Sequence, residues 1–412
     1  MIKIKIYEWA DQNYNNSFTA DTGFTQKFRT GLTLLSKNNY ENYYTRLKLI
    51  HTFQNKCIEI FRRALKDDDQ LMLNWLLNET PVSFGKNYHK ELEDIFYKRP
   101  VFFRTDELDY GKICEIQCPG SLWGELQLCY EFAKGQYTEF DMQSPVENFN
   151  MQLTKYLGDQ PVLHYLIDNA SGQPGVRYFI SKSRKCTSPI KYYGIDKNIN
   201  SEDVNFVRSH SVYGEWAENY FKERITKKSV QYDLPPYILF DQKATLCLPF
   251  WSKTKSYFSD EIRNIFAYTT PIYDDTLELP EGKCSIDDFS EWPRSERNYY
   301  LKYAGADVSL NWGSKAVYRL SNLSKEKCKN ILYEKIEEAK RGRIWILQEN
   351  IIRDEDVEYI ERNGDIKKDK MRGKYSGFYG PYDFLGLLTM YRKFNKVHGQ
   401  EDTVIALGIP EK

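Results

Sequence analysis

The chain of 412 residues lacks a net charge, since 58 Lys and Arg balance 58 Asp and Glu. Without an excess of one sign no global field draws it to nucleic acid or to an anionic membrane, so any phosphate recognition has to be local. It also lacks an apolar run approaching the length of a membrane span. Its first residues, MIKIKIYEWADQN, turn polar and acidic before a signal-peptide core can form. A paired cysteine framework is missing too: the eight cysteines are scattered, as suits buried thiols in a reducing cytoplasm, where the protein is expected to reside. Cys114, Cys118 and Cys129 fall close together, yet no His or fourth Cys stands at zinc-ligand spacing, and they read as core residues. There is no internal repeat and no low-complexity tract. A chain of this length can bury a large core divided over two or three subdomains.

What is present is a succession of textures. Residues 1–100 read as mainly helical, because Ile50, Phe53, Cys57, Phe61 and Leu65 recur at helical spacing. Asp67-Asp68-Asp69 breaks that pattern before Leu71, Met72, Trp75 and Leu76 resume it, which predicts a helical pair. Residues 101–155 open with VFFRTDELDYGKICEIQCPG. Alternation predicts strands over Val101 to Asp106 and Lys112 to Gln117, joined by the turn chemistry of Asp109-Tyr110-Gly111. Arg104 and Asp106 then share one face, as do Glu115 and Gln117, and all four converge if Arg104 lies opposite Glu115. A one-residue slip would separate them. A helix is expected over Trp123 to Lys134, starting near Pro119-Gly120-Ser121.

Residues 156–233 change character again. Short apolar runs at Val162 to Ile167, Tyr178 to Ile180 and Tyr192 to Ile195 alternate with polar connections such as Ser171-Gly172-Gln173-Pro174-Gly175, as in an α/β lobe. His210, near Trp216, reads as a structural histidine. Residues 234–347 begin after Leu234-Pro235-Pro236 with the run Tyr237 to Phe240 and an apolar stretch ending at Phe250-Trp251. A strand over Tyr299 to Tyr303 carries Lys302 into AGADVSLNWGSKAV, and a further strand is expected over Ala316 to Leu320. Ser324 can cap a helix with Cys328, Ile331, Leu332 and Ile336 on one face, ended by Lys340-Arg341-Gly342 and followed by the strand Ile344 to Leu347. Residues 348–412 mix basic residues, Arg372 and Arg392 among them, with tyrosines.

Arg-x-Asp, a turn, Glu-x-amide and Pro-Gly, in that order, resemble the metal-binding hairpin of the circularly permuted ATP-grasp ligases, the group that includes glutathionylspermidine synthase and eukaryotic glutathione synthetase. The family usually has Glu-x-Asn where this chain has Glu115-x-Gln117. The resemblance runs over most of residues 100 to 400 as ordered short motifs. It implies a mixed α+β and α/β class: a circularly permuted ATP-grasp core with an inserted α/β lobe and an N-terminal helical region. It implies ATP and Mg2+ as cofactors, with Asp106, Glu115, Gln117 and Asp307 as metal ligands. Lys243 and Lys302 match the family's phosphate-binding lysines, and Gln348 and Glu349 fall where it reads the adenine edge and the ribose. Arg104 would present its fork to the transferring phosphate or the substrate carboxylate, and Arg372 to the γ-phosphate or an acyl-phosphate. A lid between Ala304 and Ser314 would exclude water, although only Gly305 and Gly313 remain of the family's denser glycine loop.

The expected activity is ATP-dependent joining of a small-molecule carboxylate to an amine through an acyl-phosphate, with release of ADP and phosphate. Two alternatives stay open: a small-molecule kinase on the same fold, and a non-catalytic relative that binds a nucleotide or a peptide. Neither nucleic acid nor membrane is expected as a partner, and a homodimer is open. The sequence does not name the carboxylate or the amine.

Overall fold

The structure, a computed structural model, describes residues 4–10, 26–77, 99–109, 111–118, 122–137, 141–158, 162–166, 173–183, 186, 191–193, 206–209, 231–233, 243–305, 307–311, 316–351, 354–393 and 402–411. After a short helix α1 (Ile4–Ala10) come two three-residue strands, β1 (Lys27–Arg29) and β2 (Thr33–Leu35). Helix α2 (Lys37–Asp67) starts where the Ser36 side chain accepts from the Asn39 amide, and it ends at Asp68, whose left-handed backbone (φ 53°) turns the chain into α3 (Gln70–Leu77). The helical pair and its acidic break are those the periodicity predicts. The two strands before it are not, because three residues are too few to show a period of two.

Strands β3 (Phe103–Asp109) and β4 (Lys112–Gln117) form the expected hairpin, followed by helices α4 (Trp123–Gln136) and α5 (Pro145–Leu157). Next come β5 (Val162–Leu166), helix α6 (Gln173–Ser183), β6 (Lys191–Tyr193), β7 (Phe206–Ser209) and β8 (Gln231–Asp233), whose strands make a parallel sheet in the order β6-β5-β7-β8. Tyr178 to Ile180, read above as a strand-like run, lies inside α6: a three-residue apolar run cannot distinguish the two states, and here it faces a helical core. His210, Trp216, Pro119 to Ser121 and Tyr237 to Phe240 lie outside the described residues.

Helix α7 (Asp260–Asn264), β9 (Thr269–Ile272), the hairpin β10 (Thr276–Leu279) and β11 (Gly282–Ser285), α8 (Ile286–Glu291), β12 (Tyr299–Tyr303), α9 (Val308–Asn311), β13 (Val317–Arg319), α10 (Lys325–Lys340) and β14 (Trp345–Glu349) follow. Ser324 caps α10 by accepting from the Lys327 amide. An antiparallel sheet in the order β13-β12-β14-β9 buries one face against α8 and α10 through Leu301, Tyr303, Trp345, Leu347, Cys328 and Leu332.

The described regular elements of the tail are strands: β15 (Asp354–Ile360), β16 (Ile366–Tyr379), β17 (Phe384–Arg392) and β18 (Val404–Pro410). The 14-residue β16 pairs with β15 by its first half and with β3 by its second, while β17 runs alongside it. With β18 paired to β17, β1 to β18 and β15 to β1, the ladder closes into a ring around Val357, Tyr359, Met371, Tyr391 and Val404. Helices α2 and α3 cover one face of this large sheet, and α4, α5 and α6 cover the other. The fold is thus a mixed helix-and-sheet one with a large mixed sheet, and the β3–β4 hairpin extends from its edge.

Candidate active site

On the hairpin, Arg104 pairs with Gln117 and Asp106 with Glu115, a two-residue displacement from Arg104 opposite Glu115. An even shift leaves face parity intact, so all four side chains still share one face. The register jumps between Asp106 and Glu107, where Cys114 is the extra residue. Asp106 is almost wholly buried. Its Oδ1 accepts from Arg104 Nε at 2.9 Å and from the Ser376 hydroxyl at 2.7 Å, and its Oδ2 from Lys374 Nζ at 2.6 Å. Gln117 bridges the group, its amide oxygen accepting from Arg104 and its amide nitrogen donating to Glu115. Lys243, at the start of a 3-10 turn over Ala244–Cys247, places its ammonium 3.3 Å from Glu115 Oε1.

The second sheet turns the face opposite α8 and α10 to this hairpin. Alternation puts Tyr300 and Lys302 on that face of β12, with Gln348 of β14 and Arg319 of β13 both directly opposite Tyr300. Lys302 Nζ donates to Gln348 Oε1 at 2.5 Å. The Gln348 amide nitrogen donates to Thr269 Oγ1 at 3.0 Å and to the Cys114 carbonyl at 3.3 Å, at the bulge. One buried amide therefore links the two sheets and orients Lys302.

Burial and the Asp106 charge raise the Glu115 carboxyl's pKa, but Lys243, Lys374 and the hydrogen bond from Gln117 together hold the group below the usual carboxylate range. Burial pushes the Lys302 ammonium down, and Lys243 and Lys374 add to this against the opposing pull of Cys114 and Glu115. Burial likewise lifts the Cys114 thiol to about 12, so it is a neutral thiol donating to the Asp106 carbonyl.

Of the residues singled out from sequence, Arg104, Asp106, Glu115, Gln117, Lys243, Lys302 and Gln348 meet in one place. Glu349 sits on the opposite face of β14, where its carboxylate accepts from the Tyr268 amide at 2.7 Å. Asp307 caps the short α9 through Ser309 and lies 3.6 Å from Arg343, and its amide donates to the hydroxyl of Tyr303, on the helix-covered face. Arg372 shares its face of β16 with Lys374 and lies 3.5 Å from Asp354. Lys374 itself was not foreseen. The alternation Lys374-Tyr375-Ser376 was its only signal, and it was masked by the many tyrosines and lysines around it.

Asp106, Glu115 and the Gln117 amide are hard oxygen donors of the kind Mg2+ takes. Among the described residues, however, no three His, Cys, Asp or Glu gather as a metal-binding group. The cations Arg104, Lys243, Lys302 and Lys374 outnumber the carboxylates Asp106 and Glu115. A bare divalent ion would meet net positive charge, whereas a polyphosphate carrying its own Mg2+ would neutralise it. In charge, the group suits a nucleotide together with its metal better than it suits a bare ion.

No family model matches the chain, and no curated protein matches it. Among solved structures, a glutathione synthetase-like effector from Globodera pallida, in its apo form, aligns over 99% of this chain and 96% of its own with a TM-score of 0.54 at 12% identity. A candidate gamma-glutamylcysteine synthetase from Methylobacillus flagellatus aligns over 85% and 84% at 8% identity, with a TM-score of 0.38. What the chain shares with the Globodera pallida effector, along nearly its whole length, is the fold.

Proposed function

We propose that the chain is an ATP-dependent carboxylate-amine ligase of the permuted ATP-grasp kind, forming an amide through an acyl-phosphate. The observation that carries this reading is the excess of cations over carboxylates where β3–β4 faces β12–β14, with hard oxygen donors beside them. The effector that shares the fold is described as glutathione synthetase-like, which agrees with the reading.

ATP with Mg2+ would supply the phosphoryl group that turns a carboxylate oxygen into a leaving group. The chain's own part is positioning and charge neutralisation. Lys302, oriented by Gln348, and Lys243, drawn away from Glu115, would meet phosphate oxygens. Lys374 and Arg104 hold Asp106 in place, and Arg104 would have to give up its bonds to Asp106 or Gln117 to meet a substrate oxyanion. Glu349, which lies on the other face of β14, is left to support Tyr268. Asp307 is left to shape the segment after Lys302.

The purified chain, incubated with Mg2+ and ATP and pools of amino acids, short peptides and polyamines, should release ADP and phosphate in an amine-dependent manner. Chelation should stop the release, and Glu115→Gln should lower it by about a hundredfold or more, as expected for loss of a charge-stabilising group. Turnover retained in Glu115→Gln would remove that carboxylate from the chemistry. One observation favours a second reading, nucleotide binding without turnover: both Asp106 oxygens are already taken by protein donors. Tight Mg2+-dependent ATP binding with no product from any pool would select it.

A further inference from the structure

We infer that Arg208, on β7 of the parallel sheet, is a positioning residue for the site: its guanidinium clamps the open end of the β3–β4 hairpin and so sets where Arg104, Glu115 and Gln117 stand. The hairpin is closed at one end by its turn. At the other end the last residues of its ladder are Arg104 and Gln117. Arg208 reaches that end from a different sheet. One of its terminal nitrogens donates to the Phe102 carbonyl at 3.1 Å and the other to the Cys118 carbonyl at 3.3 Å. Phe102 precedes β3 and Cys118 follows β4, so a single planar group spans both strands just past the final pair.

Arg208 is almost wholly buried, and its guanidinium carbon lies 5.5 Å from the Phe102 ring centroid and 5.4 Å from that of Trp123, at the start of α4. Aromatic faces beside a planar cation fix its orientation as well as its depth. A buried guanidinium is costly to desolvate, and an apolar side chain could fill the same space. What an apolar side chain cannot do is hold carbonyls of two strands at a set separation. A lysine cannot do it either, because its ammonium is a point donor and not a fork.

The clamp reaches the site through a short series of bonds. Gln117, adjacent to Cys118, accepts from Arg104 and donates to Glu115, and Glu115 lies 3.3 Å from the Lys243 ammonium. Arg104 in turn bonds Asp106 at 2.9 Å. If the open end splays, Arg104 and Gln117 part first, since they are the outermost pair, and Glu115 loses its amide partner. Lys302 and Lys374 stand on β12 and β16, outside the hairpin. That the clamp serves turnover rests on the ligase reading, but that it holds the hairpin does not.

Arg208→Lys and Arg208→Gln would be compared with the parent chain by hydrogen–deuterium exchange, and by turnover with ATP, Mg2+ and pools of amino acids, short peptides and polyamines. The amides of β4 should exchange about tenfold faster or more in both variants, while those of α2 and α10 stay within about twofold. Turnover should show a kcat lowered by about tenfold to a hundredfold with KM for ATP within about threefold, because the hairpin groups are misplaced and the lysines of other elements are not. A merely structural arginine would instead raise exchange throughout the fold and leave kcat per folded molecule unchanged. Unchanged exchange over β4, exchange raised equally in every element, a parental kcat in either variant, or failure of both variants to fold would each overturn the positioning role. Faster β4 exchange alone, in a protein whose parent form yields no product from any pool, would sink the ligase reading and leave the clamp standing.

Discussion

Asp106 and Glu107 are neighbours in the chain with opposite fates, because successive strand residues face opposite sides of the sheet. Asp106 looks toward Arg104, Lys374 and Ser376. Glu107, fully buried, looks at α2, where its carboxylate accepts from Arg46 at 2.9 Å, Tyr43 at 3.1 Å and the Gly111 amide at 3.2 Å. Glu107→Leu should cost about 3 to 5 kcal/mol in urea unfolding, because it strands a buried guanidinium, and adding Arg46→Met should recover most of that loss. His51 gives a test by pH. Burial, with Arg99 nearby, lowers it from 6.5 to about 4. Between those values the unfolded chain takes up a proton that the folded chain refuses, so stability falls as pH drops through that window. Denaturant midpoints measured from pH 7 to 4 should fall less steeply in His51→Gln. The sequence indicated which residue types would matter. It could not separate Asp106 from Glu107 by role, since that depends on which face α2 occupies.

At the scale of elements, alternation was enough to find the hairpin, and helical spacing was enough to find α2, α3 and α10. Register was not legible: the pairing of Arg104 with Gln117 is fixed by bulges at Cys114 and around Leu108, and a bulge has no periodic signature. The site survived because the displacement was even. The packing of α4 on α6 was equally hidden. A Cβ on Gly124 would lie 2.1 Å from the Gly175 carbonyl oxygen, so the helices approach as closely as they do only because both positions lack side chains. Gly124→Ala should therefore destabilise the protein by about 1 to 3 kcal/mol in urea unfolding, through overpacking against backbone that cannot move aside.

On the scale of the whole molecule, the large sheet joins both ends of the chain. Strand β18 lies between β17 and β1 and also pairs with β2, so the last described strand completes a ring begun by one of the first. Removing residues 402–412 should leave β2 without a ladder partner, strip β1 and β17 of one partner each, and take Ile405 and Leu407 out of the core. Loss of the cooperative unfolding transition, with rapid proteolysis of β1 and β17, would be the expected result, whereas a two-state transition would show the ring to be dispensable. The amino-acid sequence alone determined the period of each long element, its caps and breaks, and the order in which acids, lysines and arginines occur, because those depend on neighbours a few residues apart. Only the tertiary structure decided that Lys374 would bond Asp106 from 268 residues away, that Gln348 would orient Lys302, and that Asp307 and Glu349 would lie off the cleft. The physical reason is that a side chain's partners across a sheet are set by register and by which face is covered, and neither is encoded within any short stretch of chain.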